Sequence, residues 1–166
     1  MKAIFQSSIE PPWLDLEPIQ AGEVPEIFRT ADCFVLIEDE PRMRIDIYGD
    51  GYSTFHDAIF WKRFVVIGWG YGVHFVEIEN GNTKTISLES YFGYLYPSDN
   101  FLLVASGEKL FLFNEEAQLQ WISDELGIDG VIVNQFNNEL ICGEGEWDPP
   151  GGWKAFQVKV DSGESV

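Results

Sequence analysis

A repeat of about 40 residues constrains this chain more than any other feature of its sequence. The three clearest copies have an apolar strand, a connection that contains glycine, a second apolar strand and a turn. Phe64, Phe101 and Leu140 occupy like positions in successive copies and are separated by 37 and 39 residues. The copies are "CFVLIEDEPRMRIDIYGDG" at 33–51, which is the loosest, "RFVVIGWGYGVHFVEIENG" at 63–81, "NFLLVASGEKLFLFNEEAQ" at 100–118, and "NELICGEGEW" at 138–147 continued by "KAFQVKVDSG" at 154–163.

The strands of these repeats are apolar on both faces. Residues 64–67 read Phe-Val-Val-Ile and residues 101–104 read Phe-Leu-Leu-Val. A strand with one solvated face would alternate apolar and polar residues, so these strands require cover on both sides. The connections are too short for crossover helices, so neighbouring strands are expected to be antiparallel. The sequence therefore predicts an all-β fold of stacked antiparallel meanders.

A period near 40 with about four short strands per unit is typical of propeller blades. On these motifs, residues 31–163 resemble the β-propeller type of repeat protein. The resemblance implies blade-like sheets, and the chain has room for about three and a half of them, whereas closed propellers have at least about four. We therefore expect a partial, propeller-like stack, with a β-sandwich or a barrel as the alternative. The apolar end faces of an open stack need a cap, either the N-terminal segment or a second copy, so a homodimer is one hypothesis.

The whole chain, 1–166, is predicted to be one domain, because its length fits a domain of ordinary size. Within it, residues 1–30 differ from the repeats. Prolines oppose long helices and central strands, so the segment is expected to be an irregular arm. Its apolar side chains, among them Trp13 and Phe28, indicate that the arm packs against the core. The prolines of the segment are Pro11, Pro12, Pro18 and Pro25.

Charge limits the classes of partner. The chain has 10 Lys and Arg against 28 Asp and Glu, a formal net charge of −18. Binding to a phosphate backbone needs clustered cations, so nucleic acid and anionic membranes are excluded as expected partners. A basic protein would instead be attracted to this surface. The sequence shows no apolar stretch of membrane-spanning length and no signal-peptide core, which predicts a cytoplasmic location.

Candidate catalytic residues are few. Ser53, His56 and Asp57 lie close in sequence, but neighbouring residues of a strand point to opposite faces, so sequence proximity does not make a triad. His74 lies in an apolar strand and is expected to be at the surface or partly buried. Cys33 and Cys142 form no paired motif and are interpreted as buried free thiols. We expect no cofactor and no metal site.

The stretch "GEGEWDPPGGWKAFQV" at 143–158 is the most unusual of the chain. Its place in the repeat makes it a hairpin connection with extra length. Alternation places Glu144, Glu146 and Asp148 on one face of a strand, where they could bind a cation or the basic side chains of another protein. Trp147 and Trp153 flank the turn and could meet across the hairpin. These five residues are the predicted partner-binding site.

The sequence therefore predicts a non-enzymatic, acidic, all-β protein that binds a basic protein. A specific version is an immunity or antitoxin-like protein that neutralises a cationic toxin. One alternative is a small-molecule or metal-binding protein, or an enzyme, with a pocket near His56 and Asp57. Another alternative is a structural dimerisation module.

Overall fold

The computed structural model describes residues 2–27, 29–49 and 55–166. Within these ranges the regular structure is almost entirely β, with one 3₁₀ turn at Trp13–Asp15. No helix in the described residues is long and apolar enough to cross a membrane. The strands are β1 (Ala3–Gln6), β2 (Ile19–Gly22), β3 (Cys33–Ile37), β4 (Met43–Tyr48), β5 (Asp57–Trp61), β6 (Phe64–Trp69), β7 (Gly72–Glu77), β8 (Thr83–Ser87), β9 (Phe92–Pro97), β10 (Phe101–Ser106), β11 (Leu110–Asn114), β12 (Leu119–Ile122), β13 (Val131–Phe136), β14 (Leu140–Glu146) and β15 (Trp153–Lys159).

The strands form four small sheets. The first sheet has the order β1-β3-β4-β2, in which β2 is parallel to β4. The second (β5-β6-β7-β8) and third (β9-β10-β11-β12) sheets are four-stranded antiparallel meanders, and the fourth (β13-β14-β15) has three strands. Each repeat supplies one hairpin of a sheet: β3-β4, β6-β7 and β10-β11 are the central pairs of their sheets, whereas β14-β15 includes the edge strand β15. The predicted all-β fold is confirmed, and the arrangement is compatible with blades.

Three apolar cores separate the four sheets in chain order. In β10, Leu102 and Val104 face the core shared with the second sheet, whereas Leu103 and Ala105 face the core shared with the fourth. A further core lies between the first and second sheets. Two-sided burial of this kind explains why the strands are continuously apolar. Among the described residues, no core cluster joins the first sheet to the fourth.

The N-terminal segment covers the outer face of the first sheet. Ile9 and Trp13 pack against a buried cluster on that face, which comprises Ala31, Phe34, Leu36 and Tyr48. The segment also contains β1 and β2, which pair with β3 and β4 at the two edges of the sheet. The expectation of an irregular segment is corrected here, because two four-residue strands form at edge positions, where prolines nearby are tolerated. Phe28 lies outside the described residues.

Two further expectations differ from the structure. His74 is buried, with 3% of its surface exposed, because both faces of β7 are covered by neighbouring sheets. Cys33 is buried as expected, but Cys142 is only half-buried, since it faces away from the core on β14. Both cysteines are free thiols.

Candidate functional site

Glycines at alternate positions of β14 shape the unusual stretch. A Cβ atom on Gly143 would lie 2.1 Å from the carbonyl oxygen of Ile132, and one on Gly145 would lie 1.7 Å from that of Leu126. No other residue fits at these close approaches. Because side chains alternate along a strand, Glu144 and Glu146 project from the other face. The alternating "GEGE" sequence is therefore explained by packing on one side and exposed carboxylates on the other.

Glu146 and Trp153 are brought together. They are directly opposite each other in the β14-β15 register, and both line a cleft of about 400 Å³ between the third and fourth sheets. The ring of Trp153 packs over Gly130, where a Cβ atom would lie 3.0 Å from the ring. Two of the five predicted residues therefore share one concave site.

The other three predicted residues lie outside this cleft. Glu144 is exposed, and its carboxylate is 3.4 Å from the side-chain amide of Asn134. Trp147 lies on the opposite face of the hairpin, where the Lys154 ammonium is 5.6 Å from the centre of its ring. Asp148 is in the turn, and its carbonyl accepts the N–H of Gly152 at 3.0 Å.

Two geometric expectations are therefore wrong. Trp147 and Trp153 do not meet, because Trp153 pairs with Glu146 while Trp147 is opposite Gly152, and neighbouring positions of a strand face opposite ways. The carboxylates do not form a three-residue set, because β14 ends at Glu146, before Asp148. Among the described residues, no group of three His, Cys, Asp or Glu side chains could hold a metal ion.

The sequence analysis missed four residues of the cleft. Phe55, Tyr91 and Tyr94 form an aromatic group in which the ring of Phe55 is 6.0 Å from that of Tyr91 and 5.8 Å from that of Tyr94. The fourth, Asp129, accepts a hydrogen bond from the Tyr91 hydroxyl at 3.3 Å. These residues come from three separate segments, and only the tyrosine-rich sequence "YFGYLY" at 91–96 signals part of the group.

Backbone hydrogen bonds fix the floor of the cleft. The N–H of Gly107 bonds to the carbonyl of Tyr91 at 2.9 Å, Gly130 bonds to Gly107 at 2.7 Å, and Glu146 bonds to Gly130 at 2.9 Å. This chain of bonds runs from the third sheet to the fourth. These bonds connect the two walls of the cleft through the backbone.

The cleft has a negative electrostatic environment. Partial burial, followed by the charge and hydrogen bond of Asp129 and the charge of Glu146, raises the pKa of Tyr91 to about 12. None of the described residues that line the cleft is Lys or Arg. Aromatic faces and carboxylates in one concavity suit a cationic group.

The region around His56 and Asp57 has a different character. The His56 ring contacts those of Phe5 and Trp69, with centres 4.5 and 5.9 Å away, and it borders a cavity of about 200 Å³. The Asp57 carboxylate accepts the N–H of Ala58. Burial raises the pKa of the neighbouring Cys33 thiol to about 12, so this thiol is not a nucleophile at neutral pH. Ser53 lies outside the described residues.

The surroundings of His74 indicate a structural role and not a role in proton transfer. Its Nδ1 is 2.9 Å from the Thr85 hydroxyl, which in turn accepts the N–H of Gly22 at 3.1 Å. Burial lowers the pKa of His74 to about 4, so the imidazole is neutral at pH 7. The His74 Nε2 and the Trp69 Nε1 are buried and have no hydrogen-bond partner among the described residues.

Comparison with known proteins gives no family for this chain. No protein-family model matches the sequence, and no curated protein matches it. The cleft therefore has to be interpreted from its own chemistry.

Proposed function

We propose that this chain is a non-enzymatic binding module that recognises a basic protein, with the cleft between the third and fourth sheets as the centre of the contact. The observation that carries the proposal is the convergence of Glu146 and Trp153 with aromatic side chains and Asp129 in one concavity. The net charge of −18 supports it, because a strong negative field steers a basic partner toward the surface. Exposed aromatic residues at such a site are typical anchors of protein interfaces.

The rest of the hairpin extends the contact surface. Glu144 and Asp148 are exposed on the same hairpin, and rim charges of this kind act on association rate and salt dependence more than on affinity. Trp147 already contacts Lys154 of its own chain, so we assign it a smaller part than Trp153. A specific version of the proposal is an immunity or antitoxin-like protein that covers a cationic toxin.

We also propose that the stack is an open relative of the β-propeller. The support is that each repeat contributes one hairpin to one of four sheets, and that the sheets are stacked in chain order. The N-terminal segment covers the outer face of the first sheet, as one end of an unclosed stack requires.

The test is titration of the purified chain with a set of small basic proteins and with acidic proteins of similar size. We expect binding by a basic protein, with affinity that falls as ionic strength rises through about 0.05 to 0.3 M. Glu146→Gln should weaken binding more than Glu38→Gln, which removes the same charge from an exposed turn elsewhere. Binding that is independent of salt, or equal losses in the two variants, would contradict the proposal.

A further inference from the structure

Three large aromatic side chains are exposed at one place in the cleft. Phe55, Tyr94 and Trp153 have 40%, 41% and 39% of their surfaces exposed. Side chains of this size are mostly buried in a folded chain, and exposed apolar groups that cluster mark an interaction site. Their ring faces carry negative charge density, so the group that they attract best is a cation.

Asp129 and Glu146 supply hydrogen-bond acceptors at the same place. One oxygen of Asp129 accepts the Tyr91 hydroxyl, and one oxygen of Glu146 accepts the N–H of Gly151. These bonds orient both carboxylates. The second oxygen of each has no hydrogen-bond partner among the described residues, so both can accept from a ligand. A ligand that satisfies both oxygens must carry at least two hydrogen-bond donors.

The guanidinium group of arginine meets both requirements. It is planar, stacks on aromatic rings, and presents five donors in a fork that fits carboxylates. A lysine ammonium is compact and more strongly hydrated, so it loses more on entering an aromatic site. A trimethylated ammonium contacts rings well but donates no hydrogen bond, and it would leave both carboxylate oxygens unsatisfied.

We propose that the cleft binds an arginine side chain, with the guanidinium stacked among the rings of Tyr94, Phe55 and Trp153 and hydrogen-bonded to Asp129 and Glu146. This inference rests on the proposed function, in which the arginine belongs to the basic partner protein. The raised pKa of Tyr91 agrees with the negative potential that such a ligand needs. The fixed backbone of the floor lowers the conformational cost of binding.

The experiment is an NMR titration of the isotope-labelled chain with Nα-acetyl-arginine amide, Nα-acetyl-lysine amide and the trimethyl form of the lysine compound. We expect the arginine compound to shift the indole N–H signal of Trp153 and the amide signals of Gly93 and Gly130, which line the cleft. Its affinity should exceed that of the lysine compound by about fivefold or more. Equal affinities, stronger binding of the trimethyl compound, or shifts confined to other surfaces would overturn the inference.

Matched variants locate the site. Trp153→Ala and the double variant Asp129→Asn/Glu146→Gln should each weaken arginine binding by about tenfold. Trp13→Ala and the double variant Glu38→Gln/Glu40→Gln should leave it within about twofold, since they remove an indole and two carboxylate charges outside the cleft. Similar losses in both sets would mean that the compound responds to net charge alone, and would overturn the inference.

The two proposals fail separately. If a basic protein binds in a salt-dependent way but the arginine compound does not shift the cleft signals, the proposed function stands and the arginine inference is wrong. If the arginine compound binds in the cleft but none of the basic proteins binds, the site stands and the proposed function is wrong.

Discussion

In the first sheet the charged side chains of Arg44 and Asp46 lie in the interior, whereas in the fourth sheet those of Glu144 and Lys159 lie in solvent. Arg44 and Asp46 form a two-point ion pair with both N–O distances at 2.8 Å, and 13% and 5% of their side chains are exposed. Lys159 contacts Glu164 at 3.5 Å in an exposed pair. The outer face of the first sheet is therefore buried, whereas the outer face of the fourth sheet is exposed to water.

The two ends of the stack therefore differ in role: the first sheet contributes to stability, and the cleft beside the fourth sheet is the proposed binding site. The first end has its arm, its buried ion pair and, nearby, the buried imidazole of His74. The cleft beside the fourth sheet exposes aromatic rings and carboxylates. Substitutions at the first end should therefore change the free energy of unfolding, and substitutions in the cleft should change binding.

The largest expected effect is at the buried ion pair. Asp46→Asn leaves the Arg44 guanidinium buried without its counter-charge, and we expect the free energy of unfolding to fall by about 3–5 kcal/mol. Urea denaturation followed by tryptophan fluorescence measures this. Glu164→Gln at the exposed pair is the matched control and should cost less than about 1 kcal/mol. Similar losses at the two pairs would contradict the comparison.

The next effect is pH dependence through His74. Its pKa is about 4 in the folded chain, below the value of about 6.5 expected when unfolded. Between these values the unfolded chain binds a proton that the folded chain does not. The stability is therefore complete above pH 6.5 and declines as the pH falls toward 4, by about 3 kcal/mol in all.

The measurement is urea unfolding of the wild-type chain and of His74→Gln from pH 7.5 to 4. Glutamine can keep the hydrogen bond to Thr85 but does not titrate, so the variant should show a flatter pH profile. His74 lines a pocket that is separate from the cleft between the third and fourth sheets. The other ionisable side chains among the described residues of this pocket are Glu23, Tyr48 and Tyr71, and they are present in both proteins. Parallel profiles would rule out the assigned role.

A smaller effect is expected from the arm. Trp13→Ala removes a half-buried indole from the outer-face cluster of the first sheet, which should cost about 2 kcal/mol of stability. It also exposes Phe34 and Leu36, so light scattering should detect more association as concentration rises. A variant that is as stable and as monodisperse as the wild-type chain would show that the arm does not act as a cap.

The central strands could be predicted from the sequence because a strand that is buried on both faces has an unusually continuous apolar run. A run such as Phe64–Ile67 is apolar at every position, and glycine-containing links join the strands of the hairpins β6-β7, β10-β11 and β14-β15. β1 and β2 carry no such mark, since each has four residues and lies at an edge. The pairing of β1 with β3 and of β2 with β4 depends on contacts between segments distant in the sequence, and the residue pattern within a short strand does not specify such contacts.

The cleft could be predicted only in part for the same reason. Glu146 and Trp153 stand out by local composition, but Tyr91 and Asp129 are 38 residues apart and meet only through the sheet order. The separation of the two tryptophans depends on strand register, and a shift of one residue reverses the face of every side chain. Sequence composition identified the hairpin, whereas register selected which of its residues share a site.

The smallest effect on the free energy of unfolding is expected at Trp153. Effects on stability and on binding can be compared most directly at this residue. Trp153 is exposed at the cleft, so Trp153→Ala should lower the free energy of unfolding by less than about 1 kcal/mol while it weakens arginine binding. Trp121, on the third sheet, is the matched control: its indole N–H donates to the carbonyl of Val160 at 2.8 Å, and its ring packs over Gly163. Trp121→Ala should cost about 3 kcal/mol and leave binding per folded molecule unchanged. If Trp153→Ala destabilised the chain as much as Trp121→Ala does, the exposed rings of the cleft would be part of the core, and their convergence would no longer support a binding site.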